Sequence, residues 1–409
     1  MNYFNRLQKK INKYKAIYAK QPKKAVIKLL WWNFTQLFKL TFSDSTSTSS
    51  NCPKPLLDKI SIHMSGGIGD ILMSINYSCY LFDYIKNDIK EIDFYVKNPS
   101  VVKELIDEPN FNIYSNNKLK QDKPNYLLSF KIDRFPLITE NNLELLDKCD
   151  EKLKNLVKIY NEFYQLNKKI VCNSPSIDSL SNQYSIINKQ NRMQQPDIYG
   201  CLKISDSEYK FTPPIKDEKR VLQELSLDVI EFITINRGVD SSNTESESNK
   251  LYPLDSYNEL VKLIKKRFNK YKIIQLGVSI DRCKLIDGVD IDLVGKTSLN
   301  QLKVILKNAT LHIDCEGGMV HLRKSLQGGV SVVIFGPTSS RFYGYPDNIN
   351  ISSDACSMSC EWINDNWTSH CINKQHNHIC MKSIKPIEIF QKIENILKNQ
   401  KDTQNESII

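Results

Sequence analysis

Acidic residues are missing from the first forty positions, where ten Lys or Arg occur without a single Asp or Glu. The whole chain of 409 residues holds 56 basic and 46 acidic side chains, so this arm alone supplies the formal excess of +10. The rest of the chain is close to neutral. A nucleic-acid enzyme carries its basic stripe across the folded body, so no nucleic-acid partner is expected. Long apolar runs are also missing. The most apolar stretch, Ala25 to Phe42, is broken by Lys28, Asn33, Gln36 and Lys39, whereas a membrane-crossing helix needs about 20 mostly apolar residues. The same lysines spoil a secretory signal, and no small-residue cleavage site comes after them. The expectation is a cytoplasmic protein whose eleven cysteines stay reduced unless a metal holds some of them.

Two further signatures are absent where their remnants attract notice. Val294-Gly295-Lys296-Thr297 resembles the end of a phosphate loop, but the pattern needs glycine where Asp290 stands. That excludes the kinase and NTPase reading. Tight C-x2-C knuckles are lacking around Cys356, Cys360, Cys371 and Cys380, although His370, His376 and His378 lie among them. A structural zinc on those four thiols is the metal alternative. Buried free thiols are preferred to it, and no cofactor is required.

What is present is an α/β alternation. Residues 1–50 form a basic arm with Trp31, Trp32, Phe34 and Phe38, ending in a Ser/Thr linker. Lys opposite Trp and Phe suits an interfacial helix on anionic lipid, a reading preferred to a helix packed on the body by its aromatic side. Residues 51–215 start with a strand, the turn SGGIGD and a helix, which open a Rossmann-like βαβ unit. Pro213-Pro214 marks a linker. Residues 216–398 alternate strands and helices again, implying a second parallel sheet, and 399–409 read as a disordered tail. Two Rossmann-like domains place the chemistry in the cleft beyond their strand ends.

Two turns at such strand ends carry chemistry. Gly66, Gly67 and Gly69 let a ligand approach the backbone, and Asp70 either accepts a proton from a hydroxyl nucleophile or caps the helix. In Glu316-Gly317-Gly318-Met319-Val320-His321, the amides of Gly317, Gly318 and Met319 suit a diphosphate. His321, on the first turn of the helix, either binds the ligand or packs. Lys250, ahead of Tyr252-Pro253, is either a solvated lysine or a charge that neutralises a departing diphosphate.

In order and spacing, these segments resemble glycosyltransferase family 9, the heptosyltransferases of lipopolysaccharide core assembly. The segments are Gly69-Asp70-Ile71-Leu72-Met73-Ser74, Lys250-Leu251-Tyr252-Pro253, Gly295-Lys296-Thr297-Ser298-Leu299, the 316–321 turn and Phe335-Gly336-Pro337-Thr338. The likeness is concentrated in residues 230–385, weak over 98–215 and absent over 1–50. It departs from the family where Glu316 replaces Asp, Gly317 replaces Ser or Thr, and Tyr252 replaces Trp.

The resemblance implies the GT-B fold and an inverting, metal-independent transfer of a sugar, heptose favoured, from an ADP-sugar donor. Asp70 would be the base, with Lys250, Glu316, Gly317, Gly318, Met319 and His321 at the donor. A lipid-linked core saccharide would be the acceptor, and the basic arm would rest on the inner membrane. The competing readings are a GT-B epimerase or hydrolase and a non-catalytic sugar-binding protein.

Overall fold

The computed structural model describes residues 56–118, 126–172, 178–238, 248–278, 283–356, 359–363, 367–373 and 378–406. The basic arm, its Ser/Thr linker and His376 lie outside them. Residues 54–409 form one compact unit.

The first sheet contains β1 (Leu56–Met64), β2 (Glu91–Val96), β3 (Phe111–Ser115), β4 (Tyr126–Ile132) and β5 (Pro136–Asn141), in the order β3-β2-β1-β4-β5. Four of these strands run parallel. β5 turns back antiparallel on β4, with Ile132 paired to Pro136. The sequence reading did not anticipate that edge hairpin, whose tight turn carries Asp133 and Arg134. Helix α1 (Ile68–Ile85) leaves the SGGIGD turn and buries Leu72, Ile75, Leu81 and Ile85. Their spacing gives the one-sided apolar stripe of a helix lying on a sheet. Helices α2 (Glu151–Cys172) and α3 (Asp178–Ile187) come next.

The second sheet contains β6 (Phe232–Asn236), β7 (Lys272–Leu276), β8 (Ile291–Asp292), β9 (Leu311–Cys315), β10 (Ser331–Phe335) and β11 (Ile349–Ser352). Its order is β11-β10-β9-β6-β7-β8, and every pairing is parallel. β6, β9 and β10 are buried along their whole length, as expected of central strands covered on both faces. Helix α4 (Leu254–Arg267), α5 (Leu299–Asn308) and α6 (Gly318–Ser325) provide that cover. Ser298 caps α5 by accepting from Gln301 N, while Gln301 Oε1 accepts from Ser298 N, a reciprocal pair that satisfies two helix-end donors. The last helix, α7 (Pro386–Glu406), continues beyond Leu397 into the stretch read from sequence as a disordered tail.

These are two parallel-sheet α/β halves, the expected fold class. Buried Lys303 on α5 links them, donating to Glu104 O at 2.7 Å and to Pro214 O of the linker.

Candidate active site

The two glycine-rich turns meet. A β-carbon on Gly69 would lie 2.8 Å from His321 Cδ2, and one on Gly318 would lie 3.6 Å from Gly69 N. The N-terminal ends of α1 and α6 therefore face each other, and both bring positive backbone ends and free amides to one place. Gly66 has φ +104°, and a β-carbon there would fall 2.4 Å from Asp70 Oδ2. Only glycine fits that turn.

Asp70 serves two purposes at once. Its Oδ2 accepts from Gly67 N at 3.2 Å, the capping bond. Its Oδ1 accepts from Arg134 Nη1 at 2.8 Å and Arg192 Nη2 at 3.1 Å. Burial works to raise the carboxyl, but the two guanidinium charges outweigh it, and Asp70 is held below the usual carboxylate range. The side chain is still 32% exposed. Neither arginine was found from the sequence. Arg134 comes from the β4–β5 turn, and Arg192 from a segment whose backbone N donates to Phe342 O at 2.7 Å. They lie 64 and 122 residues from Asp70 in the chain, in the stretch with the weakest patterning.

On the facing turn, Lys250 Nζ stands 2.6 Å from Glu316 Oε2, and His321 Nε2 stands 3.9 Å from Glu316 Oε1. Burial opposes ionisation of Glu316. The Lys250 charge and His321 outweigh it and hold the carboxyl well below its ordinary range. Lys250 is likewise disfavoured by burial, yet Glu316 raises it. Asp314, the other acid of this motif, remains inside β9, where Asn236 Nδ2 donates to it at 2.9 Å and burial raises its carboxyl. Glu316 is thus the acid that faces Lys250 and His321. Gly317 has an extended backbone, and Met319 packs half-buried on the core.

His321 continues into a chain that sequence reasoning also missed. Its Nδ1 is 2.7 Å from Tyr345 Oη, which is 2.9 Å from Tyr209 Oη. Tyr209 Oη in turn donates to Met73 Sδ on α1 at 3.8 Å.

The thiol loop abuts this site. Cys360 N and Glu361 N donate to Pro337 O at 3.0 and 3.3 Å, and Asn249 donates through N to Thr368 O and through Nδ2 to Trp367 O. Glu361 is buried, accepts from Asn182 Nδ2 on α3, and adds to the charges that raise Lys250. Cys356, Cys360, Cys371 and Cys380 line one cavity of about 10 Å³ with His378. Burial, then the neighbouring thiols, pushes Cys360 up to about 12 and Cys380 up to about 11. Among the described residues no group of three or more His, Cys, Asp or Glu stands in metal-holding geometry. The donor chemistry of four thiols around one cavity nevertheless fits a thiophilic cation. A larger open groove, about 660 Å³, runs along α2 past Lys154, Asn161 and Leu166, away from both turns.

Two parallel-sheet halves that meet at glycine-rich strand ends, one carrying a carboxylate and the other a cation near a helix N-terminus, have the GT-B architecture. Residues 236–377 match glycosyltransferase family 9 (heptosyltransferase). No curated protein sequence matches it. Among solved structures it is similar to the dodecameric iron-containing heptosyltransferase TibC in complex with ADP-D-beta-D-heptose. Identity is 11%, with 87% of this chain and 80% of that chain covered at a TM-score of 0.55. A second structure of TibC, from enterotoxigenic E. coli H10407, gives 0.53 at 11% identity over 84% and 77%. The family 9 glycosyl transferase of Veillonella parvula DSM 2008 gives 0.51 at 13% identity over 84% and 97%. At these identities the likeness concerns the fold.

Proposed function

We propose that the chain transfers a sugar, heptose favoured, with inversion from an ADP-sugar to a hydroxyl of a lipopolysaccharide or lipooligosaccharide core saccharide. The observation that carries this reading is the contact of Gly69 with His321. It sets the Asp70 carboxylate against the turn where Lys250, Glu316 and the α6 amides converge.

The acceptor oxygen attacks the anomeric carbon from the Asp70 side, and the bond from that carbon to the β-phosphate oxygen breaks. The electron pair leaves with the nucleoside diphosphate, where Lys250 and the α6 amides offset the developing charge. Asp70, held as an anion by its arginines, takes the hydroxyl proton late, once carbon–oxygen bond formation has made that hydroxyl acidic. Oδ2 suits this role, because among the described residues it bonds only the Gly67 amide.

Fixed cations at the leaving group replace what a divalent metal does elsewhere, so transfer itself is metal-independent. Cys356, Cys360, Cys371 and Cys380 would hold a zinc or iron that cross-links the loop bearing Glu361 and supplies no reacting group. The basic arm at 1–50 would bring the enzyme to the cytoplasmic face of the inner membrane, where such acceptors lie.

The test is donor consumption by purified protein with a nucleotide-sugar panel and membrane glycolipid, with Mg²⁺ chelated. Consumption of one donor only when glycolipid is present supports transfer. Equal consumption without acceptor replaces it with the hydrolase or epimerase reading. Donor binding without turnover on any glycolipid replaces it with the binding-protein reading.

A further inference from the structure

Arg237 is the first residue after β6, at the carboxyl edge of the second sheet. It is only 7% exposed, and among the described residues its Nε has no hydrogen-bond partner. No ion pair among the described residues includes it. Its charge works to lower Tyr257 and Cys283, against the burial and the nearby Asp314 that raise both. A buried guanidinium nitrogen left without an acceptor is expensive, and one retained in a native protein calls for an explanation such as a ligand that completes it.

Asn236 Oδ1, beside Arg237, likewise has no hydrogen-bond partner among the described residues. Asn236 donates to Asp314, and Tyr257 Oη donates to Asn236 O at 3.1 Å. Strand alternation puts Arg237 on the face shared by Ile233 and Ile235, toward α4, at whose start Lys250 and Tyr252-Pro253 arrive. The register Ile235↔Ile313 sets Arg237 level with Cys315, one residue before the Glu316-Gly317-Gly318 turn. Lys250, the cation legible in the motif, is already neutralised by Glu316.

We propose that Arg237 is a donor-binding residue that grips the diphosphate of the nucleotide sugar. The inference rests on the glycosyltransferase reading above and adds the group that reading lacked. With Lys250 paired to Glu316, the two together add no net charge. The diphosphate therefore takes its uncompensated positive charge from Arg237, whose planar fork can bond two phosphate oxygens at once. Lys250 and Glu316 are then left to orient the sugar and meet the charge that develops as the bond breaks.

The test is calorimetric titration of the whole chain with ADP, UDP, adenosine and inorganic pyrophosphate, comparing wild type with Arg237→Gln and Arg237→Lys. Arg237→Gln should weaken ADP and pyrophosphate by about tenfold or more, the size of a lost charge-assisted hydrogen bond, and leave adenosine unchanged. Arg237→Lys should fall between the two. Equal binding of ADP by wild type and Arg237→Gln overturns the proposal while leaving the glycosyltransferase reading intact. Parallel weakening of adenosine and ADP also overturns it, because that pattern marks a packing residue, as would failure of both variants to fold. A wild type that binds no nucleoside diphosphate overturns the wider reading instead.

Discussion

Lys250 Nζ and Glu316 Oε2 lie 2.6 Å apart, with their side chains 24% and 9% exposed, so the cation proposed for the leaving group is already paired without a donor. Removing one partner of a buried pair leaves the other uncompensated, at a cost of about 3–5 kcal/mol. The partial exposure of Lys250 puts Lys250→Met toward the lower figure. Glu316 is held below its ordinary pKa, so its contribution is complete above the unfolded value of about 4.3 and fades as pH falls toward the folded value. The melting difference between wild type and Lys250→Met should therefore be large at pH 7 and shrink on acidification. A difference that does not shrink refutes the pairing as its source.

Asp70→Asn should lower turnover by about 10²- to 10⁴-fold and leave ADP affinity within about twofold, since the proposed function puts this acid on the acceptor side of the contact. Retained turnover would remove Asp70 as the base.

Arg192→Ala withdraws one of the charges that depress Asp70. Wild type needs no protonation change at Asp70 across neutral and mildly acidic pH. In the variant the carboxyl pKa rises, so the acid limb of kcat/KM should move to higher pH. Superimposable profiles for the two proteins would contradict that account.

Gly69→Ala introduces a methyl 2.8 Å from His321 Cδ2, whereas a methyl at Gly318 meets its nearest neighbours at 3.6 Å. Displacement of the facing turns by even a fraction of an ångström misaligns acceptor and donor. Gly69→Ala should therefore lose about tenfold or more in kcat/KM, and Gly318→Ala should lose far less. Steady-state kinetics on both, with circular dichroism to confirm folding, decides the point.

A structural metal on the four thiols predicts about one zinc per chain by elemental analysis of anaerobically purified protein, and packed free thiols predict none. Chelation should expose Cys360 and Cys380 to a disulfide reagent and weaken donor binding, because Asn249, next to Lys250, is tied to Trp367 O and Thr368 O of the same loop. Metal-free protein with unchanged donor affinity would leave the cluster as packed free thiols.

The sequence by itself determined the elements that depend on local patterning. α5 at Leu299–Asn308 and β10 at Ser331–Phe335 fall where periodicity and turn residues put them. The motifs at 69–74, 250–253, 316–321 and 335–338 singled out Asp70, Lys250, Glu316 and His321 as candidates, because residue type at fixed local spacing is legible in the chain order. The end of α7 was misjudged, since a polar C-terminal stretch gives no signal of where a helix stops.

Tertiary structure alone decided what these residues meet. Arg134 and Arg192 reach Asp70 from 64 and 122 residues away, Tyr209 reaches Tyr345 across 136, and Asn182 reaches Glu361 across 179. No local spacing encodes such pairs. The Asp70 alternatives of cap or chemistry also proved compatible, because one carboxylate has two oxygens and only the fold shows that each faces a different partner. Charge and burial set the chemistry of a side chain, and burial is a property of the packed chain, not of its order.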